Sequence, residues 1–365
     1  MQLRAIVFVD LDYFFAQVEE IRNPSLKDKP VVVCVYSGRS EDSGAVSTAN
    51  YIARKYGVKS GMPIAMAKRK LQDTAATFLP VDIPFYEKIS EEMMETLRSF
   101  ADTFEQVGID EAYLDVSRRV NANFGEASLL ARRIKEEIRA RYKLTCSIGV
   151  GPNKLVAKIA ADLQKPDGLT VIKPEEVERI LFPLPVDRLI GVGTKTTKKM
   201  QAMGITTIGE LARYDVQRMT DVFGQNLGSY FHSASLGVDD EPVQERGEAE
   251  SESRISTLKE DTRDLYAIVA KTNQLCDEIT KDIAQRRALF KTIGILVILT
   301  DMSVHSRSKT LKSPTNDPQV LKDIVKELFG KFLKESGLKA RRVGVKVSGL
   351  IRIEDSQRRL VSFLE

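Results

Sequence analysis

The stretch VFVDLDYFFA, at Val7–Ala16, places Asp10 and Asp12 at the end of an apolar run. A second stretch, QVGIDEAYLDV at Gln106–Val116, carries two adjacent acids between apolar segments. Each pattern predicts strands that bring carboxylates to one end. Carboxylates that meet in a half-buried site raise each other's pKa, and a divalent cation removes that cost. The two stretches therefore predict a magnesium site for phosphoryl or nucleotidyl transfer.

The composition is that of a globular protein with several domains. The chain has 365 residues, of which 42% are hydrophobic and 29% charged, and this length exceeds one ordinary core. The longest apolar runs, such as Ile293–Leu299, are too short to cross a bilayer, and no signal-peptide pattern is present. Cys34, Cys146 and Cys276 form no C-x-x-C pair, which favours a reducing compartment. We therefore expect a cytoplasmic protein with no membrane partner.

Alternating β-branched runs and helical stretches predict a mixed α/β first half. Its predicted strands are Ala5–Val9, Pro30–Tyr36, Phe104–Ile109, Ala112–Val116 and Thr145–Val150, and its predicted helices are Ala127–Arg141 and Asn153–Gln164. Past an acidic stretch that indicates a linker, Gly237–Gly247, the order becomes β-α-β-β-α-β. These later elements are Ser251–Leu258, Leu265–Arg287, Thr292–Thr300, Ser306–Leu311, Gln319–Glu335 and Arg341–Ser348.

The segment STANYIARKYG, at Ser47–Gly57, predicts a helix. Ser47 or Thr48 is its expected N-cap and Gly57 its expected C′ residue. Free N–H groups at a helix N-terminus bind phosphate, and Tyr51 and Arg54 share one helical face. A hydroxyl and a guanidinium on that face suit a triphosphate. An ordinary amphipathic surface helix is the alternative.

Together, the D-L-D-Y-F-F and I-D-E-A-Y-L-D strings resemble the catalytic palm motifs of Y-family, translesion DNA polymerases, in an archaeal-like DNA polymerase IV branch. The resemblance runs from about Ile6 to Ser348. It implies an α+β multidomain, right-hand polymerase fold with palm, fingers, a helical thumb containing a helix-hairpin-helix, and a βαββαβ little finger. The implied boundaries are palm 1–18 and 80–172, fingers 19–79, thumb 173–236, linker 237–247, little finger 248–353 and tail 354–365.

The resemblance implies a template-directed DNA polymerase that adds dNTPs to a primer 3′-hydroxyl and bypasses damaged template bases, with low fidelity and no proofreading. It would act as a monomer on primer–template DNA. Asp10, Asp110 and Glu111, with the Leu11 carbonyl, would hold two Mg²⁺ ions, while Asp12 and Asp115 would be structural. A nucleotidyl cyclase and a non-catalytic DNA-binding scaffold are the alternatives.

Other residues receive roles through the same resemblance. Phe15 would be a steric gate against a ribose 2′-hydroxyl, the alternative being a core pair with Phe14. The residues implied to bind the nucleotide are Phe14, Phe15, Thr48, Tyr51, Arg54 and Lys165. The residues implied to form a roof over the nascent base pair are Val35, Ala45, Ser47 and Gly61, whose small side chains leave room for damaged templates.

Two further features indicate DNA binding. The string LIGVGTK, at Leu189–Lys195, predicts a helix-hairpin-helix whose Gly191 and Gly193 let backbone amides approach a DNA phosphate; a simple tight turn is the alternative. Residues 248–353 carry 20 Lys and Arg against 14 Asp and Glu. A basic sheet face along DNA phosphates is predicted, the alternative being scattered solubilising charge. Its expected residues are Arg254, Arg307, Lys309, Arg341, Arg342 and Lys346.

The end of the chain, QRRLVSFL at Gln357–Leu364, is similar to the peptide that binds PCNA-type sliding clamps. The residues that carry this similarity are Gln357, Leu360, Phe363 and Leu364. Leu364 stands where the clamp peptide has a second aromatic. A disordered tail is the alternative.

Overall fold

The computed structural model describes residues 3–245, 247 and 249–353. They form two compact units, one built from residues 3–34, 46–60 and 69–245 and the other from residues 35–45, 61–68, 247 and 249–353. Within these described residues, no helix combines the length and the apolar character needed to cross a bilayer.

The elements up to residue 171 alternate between strands and helices. In chain order they are β1 (Ile6–Leu11), α1 (Phe14–Arg22), β2 (Val31–Tyr36), β3 (Gly44–Ala49), α2 (Tyr51–Lys55), α3 (Ile64–Lys70), β4 (Thr77–Pro80), α4 (Ile83–Arg98), β5 (Thr103–Gln106), β6 (Glu111–Asp115), α5 (Phe124–Tyr142), β7 (Cys146–Gly151), α6 (Lys154–Leu163) and β8 (Leu169–Val171). A small sheet has the order β3-β2-β4. The strands and helices predicted for this region are present, with ends shifted by a few residues.

A five-stranded sheet with the order β5-β6-β1-β7-β8 forms the centre of the first unit. Its middle strand, β1, is buried along its whole length and runs antiparallel to both neighbours. Alternate residues of a strand point to opposite faces. Val7 and Val9 therefore pack with the apolar residues of α4 and α5, while Ile6 and Phe8 pack with Ala157 and neighbouring residues of α6. Asp10 follows Ile6 and Phe8 in this alternation, so its side chain faces the α6 side of the sheet.

Helix α6 lies very close to β7 because glycine occupies the contact. A Cβ added at Gly149 would lie 2.0 Å from the Ala157 carbonyl oxygen and 2.4 Å from the Ala161 backbone nitrogen. Lysines on α6 consequently reach the sheet face that carries Asp10. One of them, Lys154, is buried with Nζ 2.9 and 3.0 Å from the two carboxylate oxygens of Glu105.

The predicted helix in STANYIARKYG begins later than expected. Ser47 and Thr48 belong to β3, and the N-cap is Asn50, whose side chain accepts from the Ala53 N–H at 2.9 Å. Asn50 is 2% exposed and also accepts from the Val31 N–H, so its buried amide fixes the point where strand becomes helix. The predicted end is confirmed, since Gly57 follows the C-cap with a φ of 78°. The resulting helix has five residues.

Short helices follow the sheet: α7 (Val177–Leu181), α8 (Thr194–Ala202), α9 (Ile208–Ala212), α10 (Val216–Phe223) and α11 (Gln225–Ser235). They share an apolar core that includes Met200 and Phe231. The first part of the segment predicted as a linker packs on the first unit. Val243 is buried with Ile6, and the Asp239 carboxylate accepts from the Leu155 N–H at 3.0 Å.

The second unit contains the predicted β-α-β-β-α-β order. Its elements are β9 (Ser251–Thr262), α12 (Leu265–Gln285), β10 (Ala288–Leu299), β11 (Val304–Thr315), α13 (Pro318–Glu335) and β12 (Ala340–Ser348), with a short β13 (Ile351–Arg352) paired to β10. The main sheet is antiparallel with the order β11-β10-β12-β9. Alternate strand residues such as Ile293, Ile295 and Val345 share one apolar core with residues of α12 and α13, including Ile279 and Phe329. Helices α12 and α13 both pack on this side of the sheet, and the opposite sheet face is termed the open face.

Candidate active site

A cavity of about 200 Å³ lies where β1 ends. It brings together residues from distant segments that the sequence had singled out separately. Its lining residues are Asp10, Leu11, Asp12, Tyr13, Phe14, Phe15, Ser47, Thr48, Tyr51, Arg54, Ser60, Asp110 and Lys165. The lining of the cavity therefore combines carboxylates with cationic and hydroxyl groups.

Strand pairing fixes the acidic side of this cavity. Asp10 on β1 is the direct partner of Glu111 on β6, and side chains of opposed residues in an antiparallel pair lie on the same face. Asp110 precedes β6, and its carbonyl accepts from the Leu11 N–H at 3.0 Å. Rigid backbone pairing thus holds all three predicted metal ligands at one end of the sheet.

Two lysines form ion pairs with two of these three carboxylates. Lys165 Nζ lies 2.6 Å from Asp10 Oδ2, and Lys158 Nζ lies 2.8 and 2.9 Å from the two oxygens of Glu111. Burial raises the pKa of Asp10 to about 7, even though Lys165 acts in the opposite direction. Burial, and then the neighbouring Glu111 charge, also raise the pKa of Asp110. The site thus carries more negative charge than its buried environment readily accommodates.

The carboxylates of Asp10, Asp110 and Glu111 are chemically suited to bind a divalent cation. Carboxylate oxygens are the ligands that Mg²⁺ prefers, and positive charge is what this buried cluster needs. In the described residues, however, no three His, Cys, Asp or Glu side chains are already gathered into a metal site. Glu111 is directed to Lys158 and does not line the cavity. Asp10 and Asp110 are the acids of this set that face it.

Helix α2 brings Tyr51 and Arg54 to the cavity. The Arg54 guanidinium lies 4.8 Å from the centre of the Tyr51 ring, and its Nε donates to the Ala49 carbonyl at 2.8 Å. Burial raises the pKa of Tyr51, so its hydroxyl stays a neutral hydrogen-bond donor. With only five residues, α2 brings these two side chains to the cavity but provides no extended helix dipole.

Phe15 lines the cavity with its ring stacked on Tyr86, the centroids 4.4 Å apart and the planes 18° from parallel. Tyr86 is fully buried and donates to Glu19 at 2.8 Å, which holds this stack rigid. Phe14 also lines the cavity, although its ring is packed in the core. Among the predicted roof residues, Ser47 lines the cavity; the others, Val35, Ala45 and Gly61, belong to the second unit and are not among its lining residues.

Sequence reasoning missed Lys158, Tyr13 and Ser60. Lys158 lies one helical turn after Lys154, and this i, i+4 spacing is the signal that both lysines face the acidic side of the sheet. Tyr13 packs edge-on against Tyr51, with centroids 5.3 Å apart. No periodicity singles out Tyr13 or Ser60, because each enters the cavity through a turn.

The six basic residues predicted to form one sheet face lie on different sides, which corrects that interpretation. Arg254 pairs with Asp282 of α12, while Arg307 and Lys309 pair with Glu335 and Glu327 of α13 at 3.0 and 2.7 Å. Their direct strand partners, Val345, Ile295 and Ile293, belong to the core. Opposed residues of an antiparallel pair lie on the same face, so these three side chains lie on the side that the helices cover.

The remaining basic residues of the six lie on β12. Lys346 and Arg342 lie opposite Gly294 and Ile298 on β10 and share the open face. Arg341 lies at an irregularity in strand pairing, 3.8 Å from Asp261. The basic charge available on the open face is therefore smaller than the sequence suggested.

The predicted helix-hairpin-helix turn precedes α8. Gly191 has a φ of 86°, and Gly193 is the N-cap of α8 with nothing within 4 Å of an added Cβ. Both glycines are exposed, whereas Val192 between them is buried and its N–H donates to the Leu189 carbonyl at 3.0 Å. The predicted clamp-binding residues, Gln357, Leu360, Phe363 and Leu364, lie outside the described residues.

Family models and curated relatives match nearly the whole chain. Residues 9–162 match the impB/mucB/samB family, residues 249–360 its C-terminal domain, and residues 187–239 the DNA polymerase-iota thumb domain. DNA polymerase IV of Nitrosopumilus maritimus is 45% identical over 364 residues, covering 100% of both chains. DNA polymerase IV of Methanosarcina acetivorans is 43% identical over 356 residues, covering 96% of this chain and 97% of the relative.

The fold is also similar to that of a solved structure. The Y-family DNA polymerase chimera Dbh-Dpo4(243-245)-Dbh superposes with a TM-score of 0.90 at 37% identity, covering 95% of this chain and 99% of the chimera. The chain therefore belongs to the Y-family of DNA polymerases, in the DNA polymerase IV group. It is a DNA-directed DNA polymerase of the translesion type, with palm, fingers, thumb and little finger, and the family depends on divalent metal. Neither the cyclase nor the scaffold alternative is supported.

Proposed function

We propose that the cavity at the end of β1 is the polymerase active site, in which Asp10, Asp110 and Glu111 hold two Mg²⁺ ions. The observation that carries this proposal is the convergence of Asp10 and Asp110 with Tyr51, Arg54 and Lys165 on one cavity. When bound, the cations would neutralise the triphosphate and lower the pKa of the primer 3′-hydroxyl. The primer 3′-oxygen then attacks the α-phosphorus of a dNTP, and pyrophosphate leaves.

The other side chains in and beside the cavity bind the triphosphate or pair with the acidic residues. Tyr51, Arg54 and Lys165 bind the triphosphate through a neutral donor and two cations. Lys158 serves as the counter-ion of Glu111 until the site is loaded. Because the residues at the end of β1 and the start of β6 are held by backbone pairing, the reacting groups meet a preorganised set of charges.

The same proposal assigns domains and partners. The palm comprises residues 1–18 and 80–172, the fingers 19–79, the thumb 173–236, the linker 237–247 and the little finger 248–353. The protein acts as a monomer on primer–template DNA, and its tail, residues 354–365, binds a PCNA-type clamp. The three cysteines are buried and form no C-x-x-C pair, which supports a reducing cytoplasm as its location.

The test of this function is primer extension opposite a template abasic site. We expect extension with dNTPs and Mg²⁺ and none when the metal is removed by a chelator, with recovery on adding Mg²⁺ back. Undamaged template in the same assay is the control for DNA binding and polymerase activity. Extension that continues in the chelator would contradict a metal site formed by the three acids.

The open sheet face is proposed to follow DNA phosphates through Lys346 and Arg342. We expect Lys346→Ala to weaken primer–template binding equally for different sequences. It should also reduce the slope of log K against log salt by about one, because each phosphate contact releases about one counter-ion. The measurement is fluorescence anisotropy over a series of salt concentrations.

Lys309→Ala is the matched control, since Lys309 is a strand lysine that already pairs with Glu327 on the helix-covered side. It should leave the salt slope unchanged. Equal slopes for the parent and Lys346→Ala, or an equal loss in both variants, would remove the assignment of the open face.

A further inference from the structure

The buried carboxylate of Asp12 does not face a cation but accepts three hydrogen bonds. Thr145 Oγ1 donates to Oδ2 at 2.9 Å, Ser147 Oγ donates to Oδ1 at 2.7 Å, and the Asp167 backbone N–H donates to Oδ2 at 2.8 Å. Asp12 is 1% exposed. A carboxylate enclosed in this way by two hydroxyls and an amide needs no metal, because each oxygen already has a donor.

The Asp167 donor belongs to the loop Lys165–Gly168, which follows α6. Asp167 has a φ of 54°, a conformation that few side chains other than Asn and Asp adopt readily. Lys135 of α5 holds the same loop from the solvent side. Its Nζ lies 2.8 Å from Asp167 Oδ1 and 3.1 Å from the Gly168 carbonyl oxygen, and it also donates to Cys146 O at 2.7 Å.

The loop carries Lys165 to the cavity. Lys165 Nζ lies 2.6 Å from Asp10 Oδ2 and 2.8 Å from Asp162 Oδ1. A lysine side chain has four rotatable bonds and loses much freedom when it is held. The position of its backbone therefore decides how often the ammonium reaches the cavity.

We propose that Asp12 is a positioning residue for nucleotidyl transfer. Its Oδ2 fixes the Asp167 amide against β7, and this contact sets the loop so that Lys165 presents its ammonium to the triphosphate. Lys135 holds the same loop through Asp167 Oδ1 and the Gly168 carbonyl oxygen. This inference rests on the proposed role of Lys165 in binding the triphosphate.

The test is a double-mutant cycle between Asp12 and Lys165, measured by steady-state incorporation of one dNTP at saturating primer–template. Asp12→Ser removes both carboxylate oxygens, and with them the acceptor of the Asp167 amide, and leaves a shorter polar side chain. Lys165→Met removes the ammonium. Asp12→Asn is the conservative variant, because its amide oxygen can still accept from the Asp167 N–H while Ser147 rotates to accept from the NH₂ group.

We expect Asp12→Ser and Lys165→Met each to raise the KM for dNTP by about tenfold, as a lost hydrogen bond to a charged group does. The double variant should match Lys165→Met alone, since Asp12 acts through Lys165. Asp12→Asn should stay near the parent, and the Kd for primer–template should not change in any variant.

The inference would be overturned if the double variant raised the KM for dNTP by the product of the two single increases. An unchanged KM in Asp12→Ser would overturn it as well. If Lys165→Met itself leaves the KM unchanged, the proposed triphosphate role fails instead, so the two failures are distinguishable. Should Asp12→Ser not fold, Lys135→Met replaces it, with the same tenfold rise and the same non-additivity expected. Arg133 is an exposed cation on the same helix as Lys135, so Arg133→Met is the control and should match the parent. A Lys135→Met variant that also matches the parent would contradict the role of Lys135 in holding the loop.

Discussion

Asp110→Asn is expected to lower the rate of dNTP incorporation by about a thousandfold or more, while primer–template affinity stays the same. The substitution keeps the shape of the side chain and removes one of the two predicted metal-ligand carboxylates that line the cavity, Asp10 and Asp110. Charge stabilisation at a metal site is worth several kcal/mol, and each ~1.4 kcal/mol changes a rate tenfold. Single-turnover incorporation, measured beside an anisotropy titration of DNA, separates chemistry from binding.

Asp115→Asn is the matched control for this prediction. Asp115 lies at the other end of the same strand, where its carboxylate accepts from the Ser117 N–H at 2.9 Å. An asparagine can still accept that bond, so incorporation should remain at the parent rate. Near-normal incorporation by Asp110→Asn, or an equal loss in both variants, would remove Asp110 from the site.

Phe15→Ala is expected to raise the relative incorporation of ribonucleotides by about tenfold to a hundredfold, because forcing one extra atom into a packed site costs about 1–3 kcal/mol. The stack on Tyr86 holds the Phe15 ring in place at the cavity. Without the ring, a 2′-hydroxyl meets empty space. Competing dNTP and rNTP at one template position gives the ratio of the two values of kcat/KM.

Phe85→Ala tests whether any lost ring beside Tyr86 has the same effect. Phe85 lies 6.2 Å from Tyr86 between centroids and does not line the cavity. This variant should keep the parent preference for dNTPs. An unchanged preference in Phe15→Ala would instead assign that ring to the core alone.

The sequence predicted that Asp10 and Glu111 lie at strand ends. The pairing of β1 with β6 makes them direct partners. The sequence could not predict that Lys158 holds Glu111, because that contact depends on how closely α6 lies to β7. The role of Asp12 was equally hidden, since its donors come from β7 and from the loop after α6.

The misjudged features have local physical reasons. The helix at Ser47 begins later because the buried Asn50 amide offers a better cap than either hydroxyl. The basic face was overestimated because strand alternation gives two faces without saying which one the helices cover. Arg307 and Lys309 share the covered face with Ile295 and Ile293, so acidic residues of α13 neutralise them.

The most direct measurement is the anomalous signal of Mn²⁺ in a crystal containing primer–template and a non-hydrolysable dNTP. We predict a peak within about 2.0–2.3 Å of carboxylate oxygens from both Asp10 and Asp110, with Glu111 released from Lys158. A crystal with the nucleotide ordered in the cavity but no peak beside these aspartates would contradict the account.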